Sequence, residues 1–160
     1  MKKFLTILIL VFSLQTPSQA DDIRDFEIEG ISIGDSALDF FSEDEILKNI
    51  RKGAYEGSDG KFYDSGIKKN SFELYNEVGL ILKKDDKKFI IYGLEGVVYY
   101  DKDTPACIKQ YKEIANQFES IFNNHKKIVK KNAKHPQDPS GLSLADQTSF
   151  IHKSGSGSVV

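Results

Sequence analysis

Residues 71–101 constrain the fold more than any other part of the sequence. Apolar side chains recur at alternate positions and would share one face of a strand, with Asn76 as the polar exception: Phe72, Leu74, Val78, Leu80 and Leu82. A second apolar run covers residues 89–100. A period of two is that of a strand whose side chains alternate between two faces. The charged hexad at residues 83–88 separates the two runs. We therefore expect a long antiparallel hairpin over about 71–101.

The second strand of this hairpin is apolar on both faces, which predicts a central place in the sheet, beneath a helix. Gly93 and Gly96 within it indicate a bulge or close packing. Thr104 and Pro105 form a helix start signal, with Thr104 as N-cap and proline at the first helical position. The apolar stripe that follows predicts one long helix, over about 105–124, packed on the hairpin. The stripe comprises Ile108, Tyr111, Ala115, Phe118 and Phe122, widened by Cys107, Ile114 and Ile121.

Shorter elements are predicted before the hairpin. The alternation over residues 26–34 predicts a short strand. Asp35 or Ser36 can cap a short helical turn. Ser42 begins the Ser-x-x-Glu spacing of a capping box, so we expect a second short helix from there to Ile50. Glycines punctuate the loop that follows.

The sequence after the long helix predicts another strand. A stretch rich in proline and glycine at residues 135–141 stops helical structure, residues 147–153 predict a strand, and residues 154–157 predict its turn. Val159 and Val160 then begin a new apolar run. A partner strand cut off after two residues would leave backbone groups unpaired. Truncation of a longer protein and a complete chain with a frayed end are both consistent with this pattern.

These elements predict one α+β domain over residues 21–160: an antiparallel sheet built around the hairpin, packed by the long helix, with short N-terminal helices. The length suits a single core, and an apolar content of 39% argues for a folded chain. The formal net charge of −2 gives no general attraction to nucleic acid or anionic lipid. We expect no nucleic-acid partner.

The first twenty residues have the order of a secretory signal peptide. Lys2 and Lys3 precede an apolar run over 4–14, and small residues follow. The run is shorter than the roughly 20 residues that a membrane-spanning helix needs. We expect cleavage between Ala20 and Asp21, a periplasmic or secreted protein, and no stable membrane span afterwards.

Cys107 is the single cysteine of the chain, in a compartment where cysteines usually form disulfides. Three interpretations stay open. It is a buried small hydrophobe, or it pairs with another chain, or its partner lies in a segment that this sequence lacks. A place in the first turn of a helix can also make a thiol reactive, but no histidine is near in sequence to act as its base.

The motif Gly34-Asp35-Ser36 resembles the opening block of the serine esterases known by their Gly-Asp-Ser-Leu motif. In that family the serine is the nucleophile, and a downstream Asp-x-x-His supplies the acid and the base. Here Ala37 replaces the leucine, and no histidine follows an aspartate at that spacing. A glycine turn followed by a helix cap explains the motif better.

The three histidines have no second ligand at metal spacing, so we predict no metal site, no cofactor and no catalytic set. Asp101 and Asp103 are interpreted as helix caps.

A basic run follows the predicted helix. It complements the helix dipole as a solvated face, or alternatively contacts anionic lipid headgroups or an acidic partner. The run comprises Lys126, Lys127, Lys130, Lys131 and Lys134, with His125 and His135 beside it.

Two segments resemble an uncharacterised family of short secreted proteins of marine bacteria. Residues 28–46 are similar to the start of its members, and residues 96–100, with Cys107 and its helix, are similar to their middle. The resemblance implies no known activity. It implies that related chains continue into a further strand with a cysteine, in agreement with truncation.

Two functional classes follow from these patterns. The favoured one is an exported, non-catalytic binding or interaction module, whose partner is an envelope component or another protein. The alternative is a small hydrolase or thiol enzyme that uses Ser36 or Cys107. The first is favoured because neither residue is accompanied by a catalytic set. The sequence leaves the oligomeric state open.

Overall fold

The computed structural model describes residues 26–51, 59–135, 138–151 and 158–159. Within these residues the chain forms antiparallel sheets, one long helix and two short helical pieces. The fold class is therefore α+β, as the sequence predicts. The expected cleavage site at Ala20 and Asp21 and the expected turn at 154–157 lie outside the described residues.

The elements are as follows. A two-stranded sheet pairs β1 (Glu27–Ile28) with β2 (Ile31–Ser32). A four-stranded sheet contains, in spatial order, β3 (Ile50–Arg51), β4 (Phe62–Ile67), β5 (Glu77–Lys83) and β6 (Ile91–Val97). A three-stranded sheet contains β7 (Lys126–Lys134), β8 (Leu144–Ile151) and β9 (Ser158–Val159). The helical pieces are a 3-10 turn (Ala37–Asp39), α1 (Glu43–Lys48) and α2 (Thr104–Ile121).

The predicted hairpin is present as β5 and β6. Its buried face is the predicted one, since Val78, Leu80 and Leu82 are all 0% exposed. Ile81 is opposite Gly93, and Leu82 is opposite Ile91, so β6 carries one extra residue there. This bulge confirms the interpretation of Gly93.

The prediction that the second strand of the hairpin is central is wrong. β6 lies at the edge of its sheet, because β4 occupies the other side of β5. β4 is not among the predicted strands, and its middle residues Asp64 and Ser65 are polar and yet buried. Leu74, predicted to share the buried face, is 76% exposed, because regular pairing begins only at Glu77.

The core lies on one face of the four-stranded sheet and is covered by the N-terminal elements. Ser36 forms a bridge with Ile90, and the N–H of Ala37 donates to the carbonyl of Phe89 at 2.9 Å. These bonds hold the 3-10 turn against the start of β6. The core comprises Ile31, Ala37, Phe41, Ile46, Ile67, Val78, Leu80, Leu82, Phe89 and Ile91.

The N-terminal caps are confirmed, and the element lengths differ. Ser36 caps the 3-10 turn, and Ser42 caps α1. The segment predicted as one strand is instead a small hairpin, because Glu29 and Gly30 have φ values of 54° and 75°, the left-handed pair that a tight type I′ turn requires. α1 ends before Ile50, which begins β3.

The N-cap of α2 is Asp103 rather than the predicted Thr104, since the Asp103 carboxylate accepts the N–H of Ala106 at 3.0 Å. Asp101 lies in the preceding turn and does not cap the helix. No residue of α2 is fully buried. The helix packs most closely on β8, where the ring centroid of Phe118 lies 6.3 Å from that of Phe150.

The basic run lies on a strand, β7, that the sequence analysis did not predict. Residues Lys130 to Ala133 of β7 oppose only Gln147 to Ala145 of β8, so β7 carries one extra residue. Asn132 sits in this bulge at φ 50°, a conformation that asparagine tolerates better than most residues. The strand predicted at 147–153 is confirmed as β8 up to Ile151, although β8 begins earlier, and residues 152–153 lie outside the described residues. The backbone of β9 pairs with β8.

Candidate functional site

An open groove lies between α2, β8 and the chain that leaves β6. Its volume is about 290 Å³. Aromatic and small residues dominate its lining, which includes Tyr75, Tyr100, Tyr111, Phe118, Gly96 and Ala115. Gly96 is the register partner of the buried Val78. The groove is therefore on the core side of the sheet.

One wall of the groove depends on a glycine. A methyl group at Gly96 would collide with the ring of Tyr75, so the ring rests directly on the backbone of β6. This confirms the prediction of close packing at Gly96. The missing side chain creates the space in which Tyr75 forms the wall.

The loop that carries Tyr75 is held by Glu29. Its carboxylate accepts the backbone N–H groups of Glu73, Leu74 and Tyr75, at 2.9, 2.8 and 3.1 Å. The bonds from Glu73 and Leu74 contribute most to a pKa of Glu29 that lies below its usual value. A turn far away in sequence thus positions the wall of the groove.

An aromatic cluster closes the other end of the groove. Phe118 and Phe150 line the groove, and Phe26 and Phe122 pack behind them, with the centroids of Phe26 and Phe118 5.0 Å apart. Phe150 is 1% exposed, whereas Ile108 near the start of α2 is 42% exposed. The C-terminal half of α2 is therefore anchored, and its N-terminal half lies open.

Several polar groups of the groove have partners within the protein. The Tyr111 hydroxyl and Thr148 Oγ1 are 2.6 Å apart, and the Asp146 carboxylate accepts the N–H of Asn132 at 2.8 Å. The lining offers aromatic faces and no cationic side chain. An apolar or aromatic group fits such a surface best.

The two candidate nucleophiles lie at opposite ends of β6. The Ser36 hydroxyl donates to the carbonyl of Lys88 at 2.8 Å and accepts from the N–H of Leu38, at the start of the strand. Cys107 lines the groove beyond the end of the strand. Cys107 is exposed, so its interpretation as a buried hydrophobe is wrong. Its pairing with another chain stays a prediction.

A charged cluster covers the opposite face of the four-stranded sheet, and sequence reasoning missed it. The Arg51 guanidinium donates to Asp64 at 2.8 Å and to Glu77 at 3.2 Å, and also binds Glu95. Glu77 accepts a further hydrogen bond from the Tyr99 hydroxyl and pairs with Lys68. The sequence signal that could have predicted this cluster is the presence of a carboxylate on each of β4, β5 and β6.

Two glycines make room for the cluster. Gly66 and Gly79 are register partners in β4 and β5, and methyl groups there would meet the Arg51 side chain. Burial raises the pKa of Asp64, and the positive charge of Arg51 opposes this shift. Because each carboxylate already binds a cation, the cluster is a structural ion network. In the part of the chain that the structure describes, no group of three or more histidine, cysteine, aspartate or glutamate residues is arranged to hold a metal ion.

The five predicted contact lysines are all exposed on β7. Residues opposite each other in an antiparallel pair share a face. Lys126 and Lys130 therefore lie on one face, opposite Ile151 and Gln147. The other face carries Lys127 and Lys134, and Lys127 pairs with Glu119 of α2.

Comparisons of the chain with models of known protein families, with curated proteins and with solved structures find no match. Neither of the helices in the described ranges is long and apolar enough to cross a membrane. The chemistry of the surfaces themselves is therefore the basis for a functional proposal.

Proposed function

We propose that the protein is an exported, non-catalytic binding module, and that the groove beside α2 is its binding site. The observation that carries the proposal is α2 itself. This helix of 18 residues has no fully buried residue, and its aromatic side lines an open groove. Helices normally bury one face against the core. Export to the periplasm or medium is proposed from the signal-peptide order of the first twenty residues.

The occupant that fits best is an apolar or aromatic side chain of a partner protein. The volume of about 290 Å³ is at the lower end of the roughly 300–1,000 Å³ typical of small-molecule sites. Apolar surface also continues around the groove, since Ile108 is 42% exposed and Leu144 is 60% exposed. Leu144 lies on the same face of β8 as Thr148, because the two are four residues apart. An aromatic anchor surrounded by apolar contacts is the usual centre of a protein interface.

The second candidate is a thiol enzyme, and one observation favours it: the exposed Cys107 lines the groove. A thiol nucleophile needs a positioned base. His125 contacts Phe122, beyond the far end of α2. The helix between residues 107 and 121 rises about 21 Å, so His125 is a poor candidate for that base.

Photo-cross-linking in intact cells tests the proposal. A photoreactive residue at Gln110, which lines the groove, should give a reproducible protein adduct. The matched control places it at Lys112, which is exposed two residues further along the helix and points about 200° away. The variant Ala115→Trp fills the groove and should abolish the adduct, whereas Cys107→Ser should leave it unchanged.

Two results would contradict the proposal. One is an equal yield of adduct from the two positions. The other is an adduct at Gln110 that survives in Ala115→Trp. An adduct lost only in Cys107→Ser would instead favour thiol chemistry.

A further inference from the structure

The edge of the three-stranded sheet at β7 is a second surface, independent of the groove. In the described residues, β7 pairs with β8 on one side and with no strand on the other. It has nine residues, interrupted by the bulge at Asn132. The other strand edges in the described ranges are shorter: β1, β2, β3 and β9 have two residues each, and β6 has seven, with its start bonded to residues 34–37. β7 is therefore the longest open strand edge in this part of the chain.

The charge of this edge is strongly positive. Five of its nine residues are lysines, and all five are exposed. Lys127 has an ion pair with Glu119. Asp146, the one acidic residue of β8, accepts a backbone N–H from Asn132 instead. Positive charge on β7 therefore exceeds the negative charge beside it.

The register distributes the lysines over both faces of the sheet. Lys126 and Lys130 are on one face, and Lys127 and Lys134 are on the other. A strand added along this edge also alternates its side chains between the two faces. Acidic residues of such a strand would lie directly across from lysines on each face, where opposite charges attract.

We propose that β7 binds an acidic segment of a partner polypeptide in an extended conformation, which pairs with the open edge as an additional strand. Backbone pairing provides the contact along the strand, and the lysines select acidic partners. Lysine on an edge strand also repels a second copy of the same edge. The edge therefore disfavours pairing with another copy of this chain and favours an acidic partner. A phosphate polymer or a lipid surface has no alternating N–H and C=O groups to pair with it. An acidic peptide therefore matches both features of the edge.

The test uses the intact protein and the labelled peptide Glu-Glu-Val-Thr-Glu-Glu-Val-Thr-Glu, whose acidic pairs mirror the lysine pairs of β7. Fluorescence anisotropy at low salt should detect saturable binding. The same peptide with alternate backbone nitrogens methylated keeps its charge and should not bind, because it cannot pair as a strand. Amide exchange in β7 should become slower when the unmodified peptide is bound.

Substitutions separate β7 from general electrostatics. The double variant Lys126→Gln with Lys130→Gln should weaken binding roughly fivefold, since surface ion pairs are individually weak. The matched control, Lys109→Gln with Lys112→Gln on the exposed side of α2, loses the same charge and should bind as the unsubstituted protein does. Unchanged protection of β7, equal binding of the methylated peptide, or equal weakening by the control variant would overturn the proposal. Absence of peptide binding, or tighter binding to phosphatidylglycerol vesicles than to the peptide, would overturn it as well.

Discussion

The four-stranded sheet and the three-stranded sheet of this chain differ in how completely other elements cover them. One face of the four-stranded sheet is sealed by the N-terminal elements, and Val78, Leu80 and Leu82 have no exposure at all. In the C-terminal region, burial is concentrated around Phe150 and Phe122, and α2 stays half open. The first region therefore buries more apolar side chains, and the second leaves more of its described surface exposed.

The difference in burial follows from the side-chain patterns of the strands. β5 places apolar residues at every second position, so one face joins the core. β7 places lysines on both faces and keeps neither apolar. On the face of β8 that α2 contacts, Thr148 and Phe150 are buried, and only Phe150 is apolar. The aromatic stripe of α2 consequently meets little apolar surface, and a groove remains.

The largest expected effect is in the sealed region. Leu80→Ala should lower the free energy of unfolding by about 3 kcal/mol, since deletions in a packed core cost roughly 2–5 kcal/mol. Ile108→Ala, at a side chain that is 42% exposed, should cost less than about 1 kcal/mol. Denaturant unfolding measures both values. Equal losses would remove the contrast between the regions.

The charged cluster provides the next effect. Gly79→Ala places a methyl group against the Arg51 guanidinium and the Glu95 carboxylate and should cost about 1–3 kcal/mol through overpacking. In an Arg51→Ala background the same change should cost less, because the obstructing side chain is gone. A double-mutant cycle measures this coupling. A coupling energy of zero would show that Gly79 does not make room for Arg51.

A smaller effect is expected where α2 meets β8. Tyr111→Phe removes the hydroxyl that lies 2.6 Å from Thr148 Oγ1, and Thr148 is only 6% exposed. The loss should be about 1 kcal/mol, the usual value for such a hydrogen bond. Tyr92→Phe, at a side chain that is 49% exposed, is the matched control and should be nearly neutral. An equal effect of the two changes would mean that this contact does not hold the helix.

The smallest effect is local and depends on pH. Hydrogen bonds from the loop lower the pKa of Glu29. A lowered pKa in the folded state contributes stability above the unfolded value, and this stability is lost as the pH falls through the folded value. NMR shifts of the Glu73, Leu74 and Tyr75 amides should therefore titrate together below pH 4.5. In Glu29→Gln this common titration should be absent; its persistence would assign it to another group.

Local signals predicted a large part of the fold. The alternation in β5, the caps at Ser36 and Ser42 and the proline start of α2 act within a few residues of one another, so the sequence shows them directly. β4 was missed because the burial of Asp64 depends on Arg51, thirteen residues earlier in the chain. β7 was missed because its lysine-rich pattern resembles a solvated helix end. The pairing that makes it a strand comes from β8.

The candidate site was less accessible to sequence reasoning. Cys107 and the aromatic stripe were both identified, but the groove needs Tyr75, Gly96 and Phe150 from three separate segments. The exposure of Cys107 also depends on how far α2 is covered, which no local pattern records. The sequence indicated close packing at Gly96, but the partner of that packing, the ring of Tyr75, is known only once the register is known.

Native-state amide hydrogen exchange across the whole protein tests the central contrast most directly. The amides of β4 and β5 should exchange only at the rate of global unfolding, and those in the first half of α2 should exchange much faster, through local opening. Occupation of the groove by a partner should then slow exchange in α2 and leave β5 unchanged. Exchange in α2 as slow as that in β5, before any partner is added, would contradict the division into a sealed four-stranded sheet and an open groove beside α2.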